Sequence, residues 1–314
     1  MLLFITSSLD MHANLLLENC NLAAFRLNYD LWQDYSFRLE PRQWEITNPA
    51  GRTITSETAT HCFWWKPFNV EIEVDNYLVA EIKYLFRELY GSFLSRGLTV
   101  GNPPDFHNRL GKLQILHMAS QYFRIPDTLC GWNLPARPEP FATHDLIAKS
   151  LSSEMTDDGK VLFTTGVSYA QIDRTFPWYL QSEVEARDDV TVFVCGDAQF
   201  AFSRSRDDLN GLDWRRVLPD TPDESRWRPK TLSPAESKAL RGLCRDLNVE
   251  WGRFDLMEDG DGLVFLEYNA NGQFGFLDFY CDNGLMRTVA AYLATPPSAG
   301  KSGQAPVLAM ANAG

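Results

Sequence analysis

The residues best placed to do chemistry lie in one stretch, WGRFDLMEDGDGLVFLEYNANGQ, residues 251–273. Two apolar-alternating runs flank a turn-rich EDGDG, which predicts a β-hairpin. Glu267 and Asn269 are two apart, so on a strand they share a face. A three-residue loop of Gly260, Asp261 and Gly262, with Gly262 at positive φ, would set Asp259 opposite Leu263, Asp255 opposite Glu267 and Arg253 opposite Asn269. Two carboxylates, an amide and a guanidinium then meet on one surface. Acids that close repel unless a cation lies between them, and hard oxygen donors of this kind suit Mg²⁺ shared with phosphate oxygens. A four-residue loop would slip the register by one and turn Asp255 to the other face. The plain alternative is a solvated acidic hairpin at a sheet edge.

Two lysines stand out beside the hairpin. Lys149 sits in the apolar run LIAKSL, read as a strand, where an ammonium is costly unless it reaches an anion or water. Lys112 lies off the apolar stripe Leu110, Leu113, Leu116, Ala119 and Phe123 of a helix expected after the break at Asn102, Pro103 and Pro104.

The remaining elements form a frame for these groups. LLFIT (2–6), MHANLLLEN and AAFRLN read as β-α-β, the opening of a doubly wound fold. WEITNPAGRTIT is a hairpin turning at Asn48, Pro49 and Gly51. HCFWWKPF is an aromatic strand closed by Pro67, most simply core. Residues 72–96 form a long helix with Tyr77, Ile82, Leu85, Leu89 and Phe93 at helical spacing. Residues 152–160 are a Ser, Asp and Gly-rich loop, and VLFTTGV returns as a strand. VTVFVCGD alternates as a half-buried strand turning at Gly196 and Asp197. Ser233, Pro234 and Glu236 make a capping box before a helix whose apolar face is Leu240, Leu243, Cys244 and Leu247. DNGLMRTVAAYLAT is a last helix, and the Pro, Gly, Ala and Ser-rich residues 296–314 are expected to be disordered.

Composition narrows the function. The chain has 314 residues, 45% of them hydrophobic, enough for two or three subdomains. A net charge of −12 argues against nucleic acid or an anionic membrane as partner, though a local basic pocket is compatible with it. Six scattered cysteines without a C-x-x-C pair read as reduced thiols of a cytoplasmic protein, and no His clusters with them to make a zinc site. The start lacks a signal-peptide pattern, and no run approaches the roughly 20 apolar residues of a membrane span.

GRFDL followed by FLEYNANGQ resembles the metal-binding end of ATP-grasp enzymes. NGQFGF, together with DWRR (213–216), resembles the branch that matures ribosomally made peptides, the microviridin-type macrocyclases or graspetide synthetases. The resemblance covers roughly residues 2–295. It implies an α/β ATP-grasp fold: an N-terminal pre-ATP-grasp domain over 1–104, a central α+β lid domain over 105–183, and a C-terminal nucleotide- and metal-binding domain over 184–295. It implies Asp255, Glu267 and Asn269 as Mg²⁺ ligands and Lys112 and Lys149 as ATP-phosphate contacts. Gln181, Glu183 and Val184 would form the adenine- and ribose-reading hinge, with Arg253, Arg204 and Arg215 as catalytic or substrate contacts. The sequence departs from the family pattern at Trp65-Lys66, where a W-[WY]-R-R-P segment is usual. It departs again at Ser182, which displaces the hinge acid to Glu183, and at Thr191, where an Arg is usual and Arg204 or Arg206 could substitute. The implied reaction is activation of Asp or Glu side chains of a precursor peptide, bearing leader and core, and their joining to Ser, Thr or Lys side chains. A homodimer is compatible with it. A RimK-like ligase adding free amino acids and a catalytically silent peptide-binding module remain open.

Overall fold

A computed structural model describes residues 1–134, 141, 145–152, 163–207, 212, 227–279 and 284–297. The chain opens as expected with β1 (Leu2–Thr6), α1 (Met11–Asn14) and β2 (Ala24–Asn28). Asp10 caps α1 by accepting the Ala13 N–H. Then come β3 (Ser36–Leu39), β4 (Trp44–Thr47) and β5 (Thr53–Thr55), a small antiparallel sheet holding the expected hairpin. β6 (His61–Trp64), α2 (Asn76–Leu94) and β7 (Thr99–Val100) complete the first unit, whose main sheet is parallel in the order β2-β1-β6-β7. β1 is buried throughout, and apolar but for Thr6, because both its faces are covered. Leu3 and Ile5 enter one core with α2, and Leu2 and Phe4 enter another, shared with the C-terminal part of the chain.

α2 buries Ile82, Phe86, Leu89, Tyr90 and Phe93. Tyr77 and Leu85, expected on that stripe, are 73% and 45% exposed, because the stripe passes through Phe86 rather than Leu85. The helix expected after Pro104 is two helices, α3 (Phe106–Arg109) and α4 (Lys112–Ala119), broken at Leu110 and Gly111. The break turns Leu113 outward, 46% exposed, and Ile115 takes its place in the core.

A second sheet, antiparallel in the order β10-β9-β11-β8, is built from β8 (Thr128–Gly131), β9 (Leu146–Ala148), β10 (Thr165–Val167) and β11 (Trp178–Ser182) around Leu134, Phe141, Leu146 and Leu180. Lys149 falls just past β9 instead of inside it, although its N–H still donates to Tyr179 O at 3.1 Å. The third large sheet is antiparallel, in the order β14-β13-β12-β15-β16. It comprises β12 (Asp188–Cys195), β13 (Ala198–Ser205), β14 (Arg228–Lys230), β15 (Trp251–Asp259) and β16 (Gly262–Asn269). α5 (Pro234–Leu247) starts at the expected capping box. α6 (Gly275–Phe279) and α7 (Leu285–Ala294) close the chain.

Period-2 alternation makes this sheet two-sided. Val190, Val192 and Val194 of β12 pack with Phe254, Leu256, α3, α4 and α5. Phe193 and Cys195 look the other way, with Trp251, Phe274 and the β1 side chains Leu2 and Phe4. The first unit therefore covers one end of that second face and leaves its other end to the polar residues of the hairpin.

Asn102 locks the joint between the units. Its buried amide nitrogen lies 2.8 Å from Trp251 O, 2.6 Å from Ala270 O and 2.7 Å from the Tyr268 hydroxyl. Removing a donor from buried carbonyls costs the desolvation of each. Asn102→Ala is expected to lower unfolding stability by about 3 kcal/mol. Denaturant unfolding of the full chain checks this, and an unchanged midpoint would remove Asn102 from that role.

Candidate active site

The hairpin sets Asp255 opposite Glu267 and Arg253 opposite Asn269, as expected, but by another route. The loop has two residues, Gly260 and Asp261, so Asp259 faces Gly262 and not Leu263. A β-bulge then shifts the register between Asp255 and Leu256, with Leu266 the extra residue on β16. Loop and bulge cancel. Gly262 does take a positive φ, +121°. The hairpin end is clamped by Arg124, whose two terminal nitrogens donate to Asp259 at 2.8 and 2.5 Å.

The side chains converge. Arg253 donates from Nε to Asp255 Oδ1 and from Nη2 to Asp255 Oδ2, each at 3.1 Å, and from Nη1 to Gln273 O at 3.0 Å. Thr191, facing Asp255 from β12, donates its hydroxyl to Asp255 Oδ1 at 2.9 Å. The Asn269 amide bridges the acids, Nδ2 lying 2.6 Å from Asp255 Oδ2 and 3.2 Å from Glu267 Oε1. A neutral donor thus lies between two carboxylates, where a cation would relieve more repulsion. Among the described residues no three His, Cys, Asp or Glu side chains group as metal ligands. The set here is two carboxylates and an amide that can present its oxygen instead, hard donors that fit Mg²⁺ sharing its shell with phosphate and water.

Both lysines reach this centre. Burial disfavours a charged Glu267, yet Lys149, then Lys112, Asn269 and Arg253 together hold its carboxyl below the ordinary glutamate value. Lys112 is the first residue of α4, and its ammonium donates to Ser150 O at 2.8 Å and lies 5.9 Å from the Tyr179 ring centre. Gln181 is fully buried on β11, and its Nε2 donates to Thr128 Oγ1 at 3.0 Å. The N–H groups of Ser182 and Glu183 donate to Asp127 O and Asp145 O, and Val184 follows, half-buried. Arg204 is buried on β13 opposite Asp189, one row along the sheet from Thr191. Burial pushes the Asp189 carboxyl up, against Arg206, whose Nη1 donates to it at 2.8 Å. Arg206 is thus committed to Asp189 rather than to Asp255. Arg215 lies outside the described residues, as do Asp213, Trp214 and Arg216, residues 153–162 and the tail from 298.

Sequence reasoning passed over two histidines. His12 Nε2 accepts the N–H groups of Phe274 and Gly275 at 3.3 and 3.0 Å, and His107 Nε2 accepts that of Ala270 at 3.3 Å. Together they pin both ends of NANGQFG, and with it the Gln273 carbonyl that orients Arg253. Two glycines of this segment are required by close approach. A side chain at Gly272 would stand 2.8 Å from Arg253 Cβ, and one at Gly275 would stand 3.1 Å from the His12 ring. Thr191 was noticed only as the loss of an Arg, and its hydrogen bond to Asp255 follows from strand register that the sequence does not carry.

No family profile and no curated protein matches the chain by sequence. Solved structures match its fold. The macrocyclase MdnC bound with precursor peptide MdnA, from Microcystis aeruginosa MRC, is 20% identical, with 93% of this chain and 98% of that one covered and a TM-score of 0.72. The Chryseobacterium gregarium RiPP-associated ATP-grasp ligase, in complex with ADP and a leader and core peptide, is 20% identical over 93% and 96%, with a TM-score of 0.72. D-cycloserine synthetase DcsG is more distant, 14% identical over 93% and 98%, with a TM-score of 0.54. The chain has the ATP-grasp ligase fold, α/β with several sheets.

Burial lowers the affinity of His12 and His107 for protons, as it does for His61, whose Nε2 lies 2.7 Å from Leu293 O. Below the ordinary histidine value of 6.5 the unfolded chain takes up protons that the folded chain refuses. Stability is therefore expected to be full above pH 6.5 and to fall as the pH drops below it. His12→Gln should reduce that slope. Denaturant unfolding across pH 5 to 8 is the check, and equal slopes for the variant and the parent would exclude a neutral His12.

Proposed function

We propose that the chain is an ATP-dependent, ADP-forming carboxylate ligase. It activates Asp or Glu side chains of a ribosomal precursor peptide and joins them to Ser, Thr or Lys side chains as macrocyclic esters or amides. The observation that carries this reading is the convergence of Asp255, Glu267, Asn269, Arg253, Lys112 and Lys149 on one face of an ATP-grasp sheet. The fold likeness to a macrocyclase crystallised with its precursor peptide and to a ligase crystallised with ADP, leader and core supports the substrate class.

In this reading a side-chain carboxylate of the peptide takes the γ-phosphoryl group of ATP. A new carboxyl oxygen–phosphorus bond forms as the bond to the bridging oxygen breaks and ADP leaves. A hydroxyl or amine then attacks the acyl carbon, loses its proton and expels phosphate. Such transfers need alignment and charge neutralisation more than covalent help. Lys112 and Lys149 hold phosphate oxygens, and Gln181, Glu183 and Val184 line the nucleotide hinge. Arg253, fixed by Asp255 and Gln273 O, faces the charge that develops at the acyl centre. Arg204 and Arg215 contact the peptide or its activated carboxylate. Asp255, Glu267 and Asn269 would hold Mg²⁺, which would neutralise phosphate charge when bound.

The domains are 1–104, 105–183 and 184–295, with α3 and α4 lending their apolar faces to the C-terminal core. We place the protein in the cytoplasm: its five described cysteines are free, and no described helix is long and apolar enough to cross a membrane.

Asp255→Asn and Glu267→Gln are each expected to abolish product while leaving the circular dichroism spectrum unchanged. The assay is Mg²⁺-dependent ADP release, with loss of one water per ring by mass spectrometry, on peptides encoded beside this gene. Full turnover by either variant would remove the metal assignment, and turnover with free amino acids alone would favour a RimK-like ligase.

A ring-forming ligase accepts several side chains in one site, so specificity must come from remote contacts. The isolated leader is expected to bind in calorimetry, and a leaderless core to be processed more slowly. Arg215→Ala should slow turnover of the full precursor. No leader binding, with bare core processed as fast as full precursor, would overturn leader recognition.

A further inference from the structure

Lys66 is the only described residue other than glycine or asparagine with a positive φ. Its φ of 48° and ψ of 42° place it in the left-handed region, before Pro67, which opens a short 3₁₀ turn over Pro67–Asn69. Asparagine tolerates this conformation, as at Asn21, Asn133 and Asn248, whereas lysine pays a steric penalty there. Strain of this kind is retained where the fold imposes it, often at sites that bind or react. The location fits such a site, because Lys66 follows the carboxyl end of β6 in a parallel sheet, the end at which open sheets of this type bind ligands.

Local packing aims the ammonium. Lys66 Nζ lies 5.3 Å from the centre of the Trp65 ring. That ring stands 5.5 Å from Phe274 and 6.0 Å from Trp251, and so lies against the segment that receives Arg253 Nη1 at Gln273 O. The charges that act on Lys66 are Arg253 and Asp10. Asp10 is already engaged at both oxygens, by the Ala13 N–H at 2.7 Å and the Trp65 indole N–H at 3.1 Å. The Lys66 ammonium makes no hydrogen bond or ion pair with any described residue, while Arg253 stands near it with the same sign of charge. Burial first, and then Arg253, lowers the ammonium's hold on its proton. Two half-buried cations in one neighbourhood repel, and an external anion relieves them.

Position says which anion. Lys112 opens α4 and donates to Ser150 O, beside Lys149 at the end of β9, whereas Lys66 follows β6 of the first unit. Trp65, under the Lys66 ammonium, packs on Phe274, next to Gln273, whose carbonyl accepts from Arg253 Nη1. Lys66 therefore approaches Arg253 from the first unit, and the two phosphate lysines come from other parts of the chain. We infer that Lys66, with Arg253, forms the binding site for the side-chain carboxylate that is to be activated, on the side of Arg253 away from the nucleotide. This rests on the ligase reading given above. A flat carboxylate bridging an ammonium and a guanidinium is a charge-assisted pairing on both sides. It also puts the attacking oxygen next to Arg253, where charge develops on transfer.

The test uses the full-length protein saturated with Mg·ADP. It is titrated calorimetrically with N-acetyl-glutamate α-amide, which carries one side-chain carboxylate, and separately with its glutamine counterpart. The acid is expected to bind and the amide not to. Lys66→Met should weaken the acid at least about tenfold, the loss of one charge-assisted contact. Lys66→Arg should restore most of the affinity, and Mg·ADP affinity should be the same in all three proteins, which also shows that the variants fold. Equal acid affinity in Lys66→Met, or acid no tighter than amide in the parent, overturns the site. Failure of the parent to bind Mg·ADP would instead overturn the ligase reading, so the two failures are distinguishable.

Discussion

Two carboxylates that face each other across adjacent strands are the constraint on which the rest of the site depends. Asp255 and Glu267 occupy directly opposed positions, where like charges destabilise a strand pair. The surrounding structure answers that repulsion. Arg253 chelates Asp255, Thr191 donates to it from the neighbouring strand, and the Asn269 amide lies between the two acids. Lys149 and Lys112 come from two other parts of the chain to hold Glu267 ionised against its burial. Each of these groups needs a separate element in place: β12 for Thr191, α4 for Lys112, the end of β9 for Lys149. The arrangement of three sheets can be read as what brings those elements to one pair of acids.

How much of this the sequence carried is clearest at the hairpin. The pairing of Asp255 with Glu267 and of Arg253 with Asn269 followed from period-2 alternation and a turn-rich loop, and the structure has it. The loop length did not follow. EDGDG supports a two-residue and a three-residue turn equally, and a bulge has no signature in LVFLEYN, where every position but Glu267 and Asn269 is apolar or aromatic. Gly260-Asp261 closes the turn one residue shorter than expected, and Leu266 restores the register. Two local features cancelled, so the correct facing pair was reached from an incorrect loop. Elsewhere the misses are of one kind. Tyr77, Leu85 and Leu113 were placed on apolar stripes, whereas tertiary contacts bury Phe86 in place of Leu85 and Ile115 in place of Leu113 and leave Tyr77 exposed. Gly111, which ends one helix and begins another just before Lys112, was overlooked as a breaker.

NGQFGF shows the difference between a resemblance and its physical basis. By sequence it served only to place the chain in a branch of enzymes. In the structure each of its parts has a mechanical role. Gly272 allows the backbone to pass Arg253 Cβ, Gln273 offers its carbonyl to the guanidinium, and Phe274 fills the aromatic junction with Trp65, Trp251 and Phe193. Gly275 and Phe274 give their N–H groups to His12. The segment therefore ties the orientation of Arg253 to the first unit of the chain. A histidine far from the hairpin in sequence becomes one of its supports, and nothing local to SSLDMH announces that.

The charge balance of the site is compatible with the acidic peptide proposed as substrate, although the chain itself is acidic. The whole molecule carries −12, yet around the two carboxylates stand Arg253, Lys112 and Lys149, with Lys66 near Arg253. Four cations against Asp255, Glu267 and, near Lys66, Asp10 leave a locally positive cleft, and such a cleft concentrates anions whatever the net charge, more effectively where its walls are of low dielectric. A Thr at position 191, where the resembled family usually has Arg, fits that balance. Thr191 lies within hydrogen-bond reach of Asp255, a place where a further cation would compete with the metal for the carboxylate. A hydroxyl there satisfies Asp255 without neutralising it, so in the proposed reaction the negative charge that would hold Mg²⁺ is kept, and the positive charge for peptide and phosphate would come from the lysines at the rim.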